Sequence, residues 1–138
     1  MPPWRLRDYH DEDLDQAIQV WDQSRTPGSG EPVFTVAEVM AAARTGQPAV
    51  VAEVGDEVVG MAVAQTQGER AWIQLVALSS RWRHRGIGSA LLAKAESWAK
   101  AKGVKHLELS VWEFNQRALA LYEKTGYRAI RHTMGKDL

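Results

Sequence analysis

Arg83-His84-Arg85-Gly86-Ile87-Gly88-Ser89-Ala90 is the stretch on which the fold turns. Before it, Ala71 to Leu78 is an apolar run of strand length. After it, Ile87, Leu91, Ala95 and Trp98 recur at helical spacing, while Lys94, Lys100 and Lys102 fall elsewhere. The octapeptide therefore joins a buried strand to an amphipathic helix. Glycines at such a joint let the backbone come close to a ligand. The first N–H groups of a helix lack intrahelical acceptors, and its dipole favours an anion. Arg83, His84 and Arg85 add positive charge. A phosphate suits this turn, although a glycine pair before a helix is also an ordinary turn. The stretch is not a P-loop, because Ser89-Ala90 follows Gly88 where Lys-Ser/Thr is needed. It is not the dinucleotide fingerprint either, because Leu91 stands where the third glycine belongs.

Working outward, Ala49–Val54 and Val58–Ala64 are short apolar runs around a Gly55-Asp56-Glu57 turn, and Gln67-Gly68-Glu69-Arg70 leads into the 71–78 run. These predict an antiparallel meander. Trp4 to Arg7 reads as a first strand. Leu14, Ile18 and Trp21 mark a helix that opens on Asp8, Asp11, Glu12, Asp13 and Asp15, where carboxylates suit the macrodipole. Arg25 to Pro32 is a loop by composition, and Thr35 with Glu38 has the spacing of a capping box for a second helix ending near Gly46. Gly103 is placed as a helix stop, and His106 to Val111 alternates as a strand. Asn115 caps a last helix, Gln116 to about Lys124, and Gly126 ends it. Tyr127 to Leu138 reads as a final extended segment, either one long strand or a tight, bulged pair around Arg131-His132-Thr133. The strand, helix, strand order 71–78, 87–102, 106–111 is a crossover in which the two strands can lie parallel.

Arg83-x-x-Gly86-x-Gly88 after Val76-Ala77-Leu78 resembles the acyl-CoA-binding motif of the GNAT superfamily of N-acetyltransferases. Val111-Trp112-Glu113-Phe114-Asn115, Tyr122 and Gly126-Tyr127 are similar to the family's second motif, in which an Asn caps a helix, a Tyr follows, and Gly-Phe/Tyr opens the next strand. The likeness is densest from Ala71 to Tyr127 and lies in pattern alone before that. It implies one N-acetyltransferase domain over residues 1–138. The implied fold is a mixed α/β (α+β) one: a mostly antiparallel central sheet of roughly six or seven strands, about four flanking helices, and a splayed strand pair at the CoA site.

The resemblance assigns roles residue by residue. Val76, Ala77 and Leu78 would offer backbone groups to the pantetheine arm of acetyl-CoA, although their side chains alone read as core. The N–H groups of His84, Arg85, Gly86, Ile87, Gly88 and Ser89 would hold the pyrophosphate, with Arg83 adding charge or standing solvated. Asn115 would contact the pantetheine, while its cap role is sufficient by itself to explain it. Tyr122 would be the general acid that protonates the departing thiolate, since a phenol of pKa ~10 carries its proton at neutral pH. A core tyrosine beside Ala118 and Leu121 is the other reading. The two positions where relatives keep a basic Glu are Trp72 and Ser110 here. Glu108, Glu113, His106 or a water relay could then take the amine's proton.

Composition bounds the rest. Apolar residues are 45% and charged residues 25% of 138, which suits a packed domain and disfavours disorder. With no cysteine, a disulfide scaffold, a thiolate metal site and a cysteine nucleophile are all excluded. Seventeen Lys and Arg balance seventeen Asp and Glu, which argues against a nucleic-acid partner. The histidines have no metal-ligand spacing, so no metal is expected. Without a leader-like or bilayer-length apolar run, a cytoplasmic protein without a membrane partner is expected. The expected activity is acetyl transfer from acetyl-CoA, as cosubstrate, to a primary amine of a small molecule or of a protein N-terminus or lysine, with a homodimer possible. A CoA-binding regulatory module without acetyl transfer is the alternative, because both usual base positions are vacant.

Overall fold

The computed structural model describes residues 2–24, 37, 41, 49–111 and 116–138. Its strands are β1 (Arg5–Asp8), β2 (Ala49–Val54), β3 (Glu57–Gln67), β4 (Arg70–Leu78) and β5 (Leu107–Leu109). Its helices are α1 (Leu14–Ser24), α2 (Ile87–Ala101) and α3 (Gln116–Lys124), with 3-10 turns at Asp11–Asp13 and Ser80–Trp82. Of the expected second helix only Ala37 and Ala41 are described, both helical and exposed. The sheet order is β1-β2-β3-β4-β5. The first three pairings are antiparallel and β4–β5 is parallel. The result is the expected mixed sheet, a meander closed by one strand–helix–strand crossover.

Both faces of the middle strands are covered, which explains why β2 and β3 read as almost continuous apolar runs. On one face α1 sets Ala17, Val20 and Trp21 against Val51, Val58, Met61, Val63 and Ala77. On the other, α2 lays Ile87 and Leu91 against Val50, Ala52, Val59 and Ala62. Further along that face Leu92 and Ala95 meet Ala64 and Ile73, and Leu121, Tyr122 and Tyr127 close the cluster. The ladder slips once between β3 and β4: Val63 faces Leu75 while Ala64 faces Ile73, leaving Gln74 as an extra, bulged residue.

The acidic stretch before α1 is not simply a dipole complement. Asp13 is buried, whereas Asp8, Asp11 and Glu12 are exposed. Arg7 donates to both Asp13 carboxylate oxygens at 2.9 Å and to Glu53 Oε2 at 2.7 Å. Arg5 takes the other Glu53 oxygen. The His10 N–H donates to Asp13 Oδ2 at 2.8 Å, which caps the turn into α1. These guanidinium contacts hold Asp13 and Glu53 below the usual carboxylate range and Arg7 above its ordinary value.

The C-terminus departs from expectation. Tyr127 to Leu138 forms no strand, and the described residues make a five-stranded sheet rather than one of six or seven. The reason lies in the partner edge and in the segment. β5 is only three residues long, and the segment meets it through side chains, with Arg131 donating to Glu108 Oε1 at 2.5 Å. Ile130, Met134 and Leu138 remain exposed, so no apolar face draws the segment onto the sheet.

Candidate active site

The β4–β5 ladder is short. It pairs Ala71–Ile73 with Leu107–Leu109 and then ends, while β4 runs on to Leu78. Val76, Ala77 and Leu78 stay paired with β3 through Ala62, Met61 and Gly60. Their other edge has no strand beside it among the described residues, over about 16 Å from Gln74. This opening is the splay expected at the CoA site. Ala77 is 1% exposed and faces the α1 cluster, while Val76 and Leu78 pack on the α2 face. All three side chains pack against the core, Val76 and Leu78 with part of their surface still exposed.

The turn at the head of the opening is wound tightly. His84 has φ 63° and Gly86 has φ 85°. Left-handed residues alternating with an ordinary one curl the chain so that successive N–H groups converge, a geometry that favours anions. Gly86 is the N-cap of α2, and the first helical bond runs from the Ala90 N–H to the Gly86 carbonyl at 3.1 Å. The N–H groups of Ile87, Gly88 and Ser89 therefore have no intrahelical acceptor. Gly88 has a second reason to be glycine: a Cβ there would sit 3.0 Å from Leu121 Cδ2, so its bareness lets α3 pack on α2. Arg85 stacks over the Trp82 ring at 4.9 Å, and Arg81 and His84 are exposed.

Arg83 does not stand alone. Partial burial, and then the charge of Arg117, hold its guanidinium below its ordinary value. Arg117 lies in the first turn of α3, where the helix dipole disfavours a cation. Two guanidinium groups thus add positive charge beside the turn. Arg117 is absent from the sequence reading; a cation at the wrong end of a helix was the signal that could have found it.

α3 also carries Tyr122, the residue expected to be the acid. Burial pushes its phenol up to about 12. It packs in the cluster with Ile73, Val76 and Leu92. Its orientation is fixed by the helix end. The Tyr127 N–H donates to the Tyr122 carbonyl at 2.9 Å and the Gly126 N–H to that of Glu123 at 3.2 Å, a Schellman closure with Gly126 at φ 100°. The two tyrosine rings meet edge to face at 6.1 Å, and the Tyr127 hydroxyl donates to Glu96 at 2.9 Å.

The other expected residues separate. Asn115, with residues 112–115, lies outside the described part, as does Glu113. Trp72 is half-buried on β4 and Ser110 is exposed just past β5. Glu108 has its oxygens engaged: Arg131 at 2.5 Å, Arg70 at 3.8 Å, and His106 facing it at 3.6 Å. No group of His, Asp or Glu among the described residues is placed to hold a metal. No helix among them is long and apolar enough to cross a membrane.

A mixed sheet whose β4–β5 ladder ends after Ile73, with a glycine turn opening α2 and Tyr122 packed against Ile73 and Val76, is the arrangement that the acyl-CoA resemblance implies. The comparisons agree. Residues 6–127 match the acetyltransferase (GNAT) family. An acetyltransferase of Pectobacterium atrosepticum is 33% identical over 90 residues, 64% of this chain and 64% of that protein. The thialysine N-epsilon-acetyltransferase of Bos taurus is 27% identical over 128 residues, 90% of this chain and 74% of that one. In fold, the PaiA N-acetyltransferase of Thermoplasma acidophilum, solved with coenzyme A, superposes with a TM-score of 0.77 at 20% identity, covering 98% of this chain and 94% of the other. The chain belongs to the GNAT acetyltransferase family, a class of acetyl-CoA-dependent acyltransferases.

Proposed function

We propose that this protein transfers the acetyl group of acetyl-CoA to a primary amine of a small molecule, or of a protein N-terminus or lysine, by direct attack in a ternary complex with Tyr122 as general acid. The observation that supports the reading is the β4 edge left without a parallel partner past Ile73, with the 83–89 turn following that strand and Tyr122 packed against Ile73 and Val76. The pyrophosphate of the cosubstrate would sit on the turn's N–H groups with Arg83 and Arg117 beside it. The pantetheine arm would run along Val76, Ala77 and Leu78, with Asn115 as a further contact. The amine nitrogen attacks the thioester carbonyl carbon, the C–S bond breaks, and the thiolate takes the Tyr122 proton. The amine gives up its own proton to water, since Trp72 and Ser110 cannot receive it and Glu108 is engaged. No metal takes part in this scheme.

A non-catalytic CoA-binding module is the less economical reading, because such a module has no use for a protonated phenol beside the sulfur. A thiol-release assay with acetyl-CoA and a panel of spermidine, lysine, an aminoglycoside and a short peptide tests the proposal. Amine-dependent release is the expected result. Acetyl-CoA binding by calorimetry with no release on any amine would favour the module. We also propose a homodimer, supported by the three-residue β5 edge and the exposed Ile130, Met134 and Leu138 of the segment that Arg131 ties to it.

A further inference from the structure

One buried polar group is not used by that scheme. The side-chain oxygen Oε1 of Gln74 is shielded from solvent and has no hydrogen-bond partner. An amide oxygen left in this state destabilises a protein, and an apolar residue like those around it in β4 would avoid the cost. Its location suggests what the oxygen is kept for. Gln74 is the bulged residue of β4, and bulges re-aim side chains beside active sites. It is also the first residue past the last β4–β5 pair, Ile73 with Leu109, so it stands where the gap opens.

The face is equally specific. Ile73 and Val76 pack with Leu92 and Tyr122 on the α2–α3 side, and Leu75 packs with the α1 cluster. The bulge interrupts the alternation, since Ile73 and Leu75 face opposite sides, and Gln74, the extra residue before Leu75, is assigned to the α1 side with it. The proposed chemistry divides the reactants between these sides. The anion-binding turn and the Tyr122 phenol belong to the α2–α3 side, so the sulfur rests there. An acyl group projecting from it across the gap would meet an amine entering from the α1 side.

We propose that Gln74 binds the acceptor: its Oε1 accepts one N–H of the incoming primary amine and holds the nitrogen lone pair toward the thioester carbonyl. The amide itself neither gains nor loses a proton. Of the two hydrogens on a neutral primary amine, one leaves to water and the other stays on the product amide, still donated to Gln74. A secondary amine has only one N–H, so it cannot lose a proton and keep this bond. The residue therefore selects primary over secondary amines. This inference rests on the acetyltransferase reading above.

Gln74→Met, of similar length and without the oxygen, separates the possibilities. The readouts are thermal melting and steady-state kinetics on the best amine of the panel and on its N-methyl derivative. The expected result is a higher Tm, because an unbonded buried oxygen is gone, with an acetyl-CoA KM within threefold of wild type. The amine KM should rise about tenfold, the size of one hydrogen bond. The preference for the primary amine over the N-methyl one should shrink by a similar factor. An unchanged amine KM and preference in the folded variant would make Gln74 a packing residue and overturn the inference. A raised acetyl-CoA KM with the amine KM unchanged would put the amide on the cosubstrate and overturn it too. Absence of amine-dependent thiol release in the wild type would remove the acetyltransferase reading itself, and this inference with it.

Discussion

Tyr122 shows how one side chain can satisfy two descriptions. Its spacing on α3 reads as core, and it is packed among Ile73, Val76 and Leu92. That same burial raises its phenol to about 12, which keeps the proton in place at neutral pH. An ordinary thiol titrates near ~8.5, so the phenol can pass its proton to the thiolate only as the C–S bond breaks inside the same desolvated gap, where burial raises the basicity of the sulfur as well. Tyr122→Phe should therefore lower kcat by at least ~30-fold with little change in the acetyl-CoA KM, since the lost interaction forms in the transition state. A core role predicts a lower Tm with activity per folded molecule intact. The pH profile adds a check. With the acid group shifted upward, kcat of the wild type should not fall between pH 7 and roughly 10, where an unshifted phenol would begin to ionise. Tyr122 was legible because its distance from Asn115 and Gly126 is a sequence property. Gln74 was not, because a slip in the β3–β4 ladder decides that it is bulged, and tertiary packing decides that its Oε1 is buried and unbonded.

At the scale of elements, the glycine pair divides its labour. Gly86 provides the left-handed residue that turns the chain into α2, and its neighbourhood is open apart from Trp4 at 4.0 Å from a would-be Cβ. Gly88 faces Leu121 instead. Gly86→Val should weaken acetyl-CoA binding at least ~10-fold, because a branched residue resists the positive φ that aims the N–H groups. Gly88→Ala should leave binding within about threefold, with a modest fall in Tm as the flexible end of Leu121 shifts. Calorimetry on both variants distinguishes the roles; equal losses of affinity would return Gly88 to the ligand. The sequence marks both glycines but says nothing of which neighbour each one meets.

The β1–α1 corner gives an element-scale prediction about acid. The carboxyls of Asp13 and Glu53 are depressed in the folded protein by Arg7 and its neighbours. Groups shifted this way contribute stability above their unfolded values, near ~4, and that contribution is lost as pH falls through the folded ones. Melting curves from pH 6 down to pH 3 should show a steepening loss of Tm. Arg7→Met should melt lower than wild type at pH 6, by roughly 5 °C or more, and show a shallower acid dependence. Parallel curves for the two proteins would mean that the corner contributes nothing to acid stability.

For the whole molecule the open question is the last twelve residues. Read alone, Tyr127 to Leu138 looks like sheet, because an extended, partly apolar segment after a helix has few other places to go. In the structure it is tied down by the Tyr127 and Arg131 side chains, and Thr133 to Leu138 are all exposed. An isolated chain should therefore tolerate deletion of Thr133–Leu138 with almost no change in Tm. If the proposed dimer forms, sedimentation of the full chain should give twice the monomer mass, and the deletion should shift it to monomer with loss of Tm. A monomeric full chain would set the dimer aside.

What the sequence determined by itself is what depends on near neighbours along the chain. The meander, the strand–turn–helix unit, the helix stop at Gly126 and the two motifs on either side of α2 and β5 are all written in local spacing and turn chemistry. The tertiary structure alone decided where the β4–β5 ladder ends, that Arg83 and Arg117 share one electrostatic field, that Gly88 faces Leu121, and that Arg7 neutralises Asp13 and Glu53. Most of those facts join residues dozens of positions apart, Arg83 with Arg117, Gly88 with Leu121 and Arg7 with Glu53 among them. Register and burial are cooperative properties of the packed sheet, and a residue's own type and near spacing leave them unspecified.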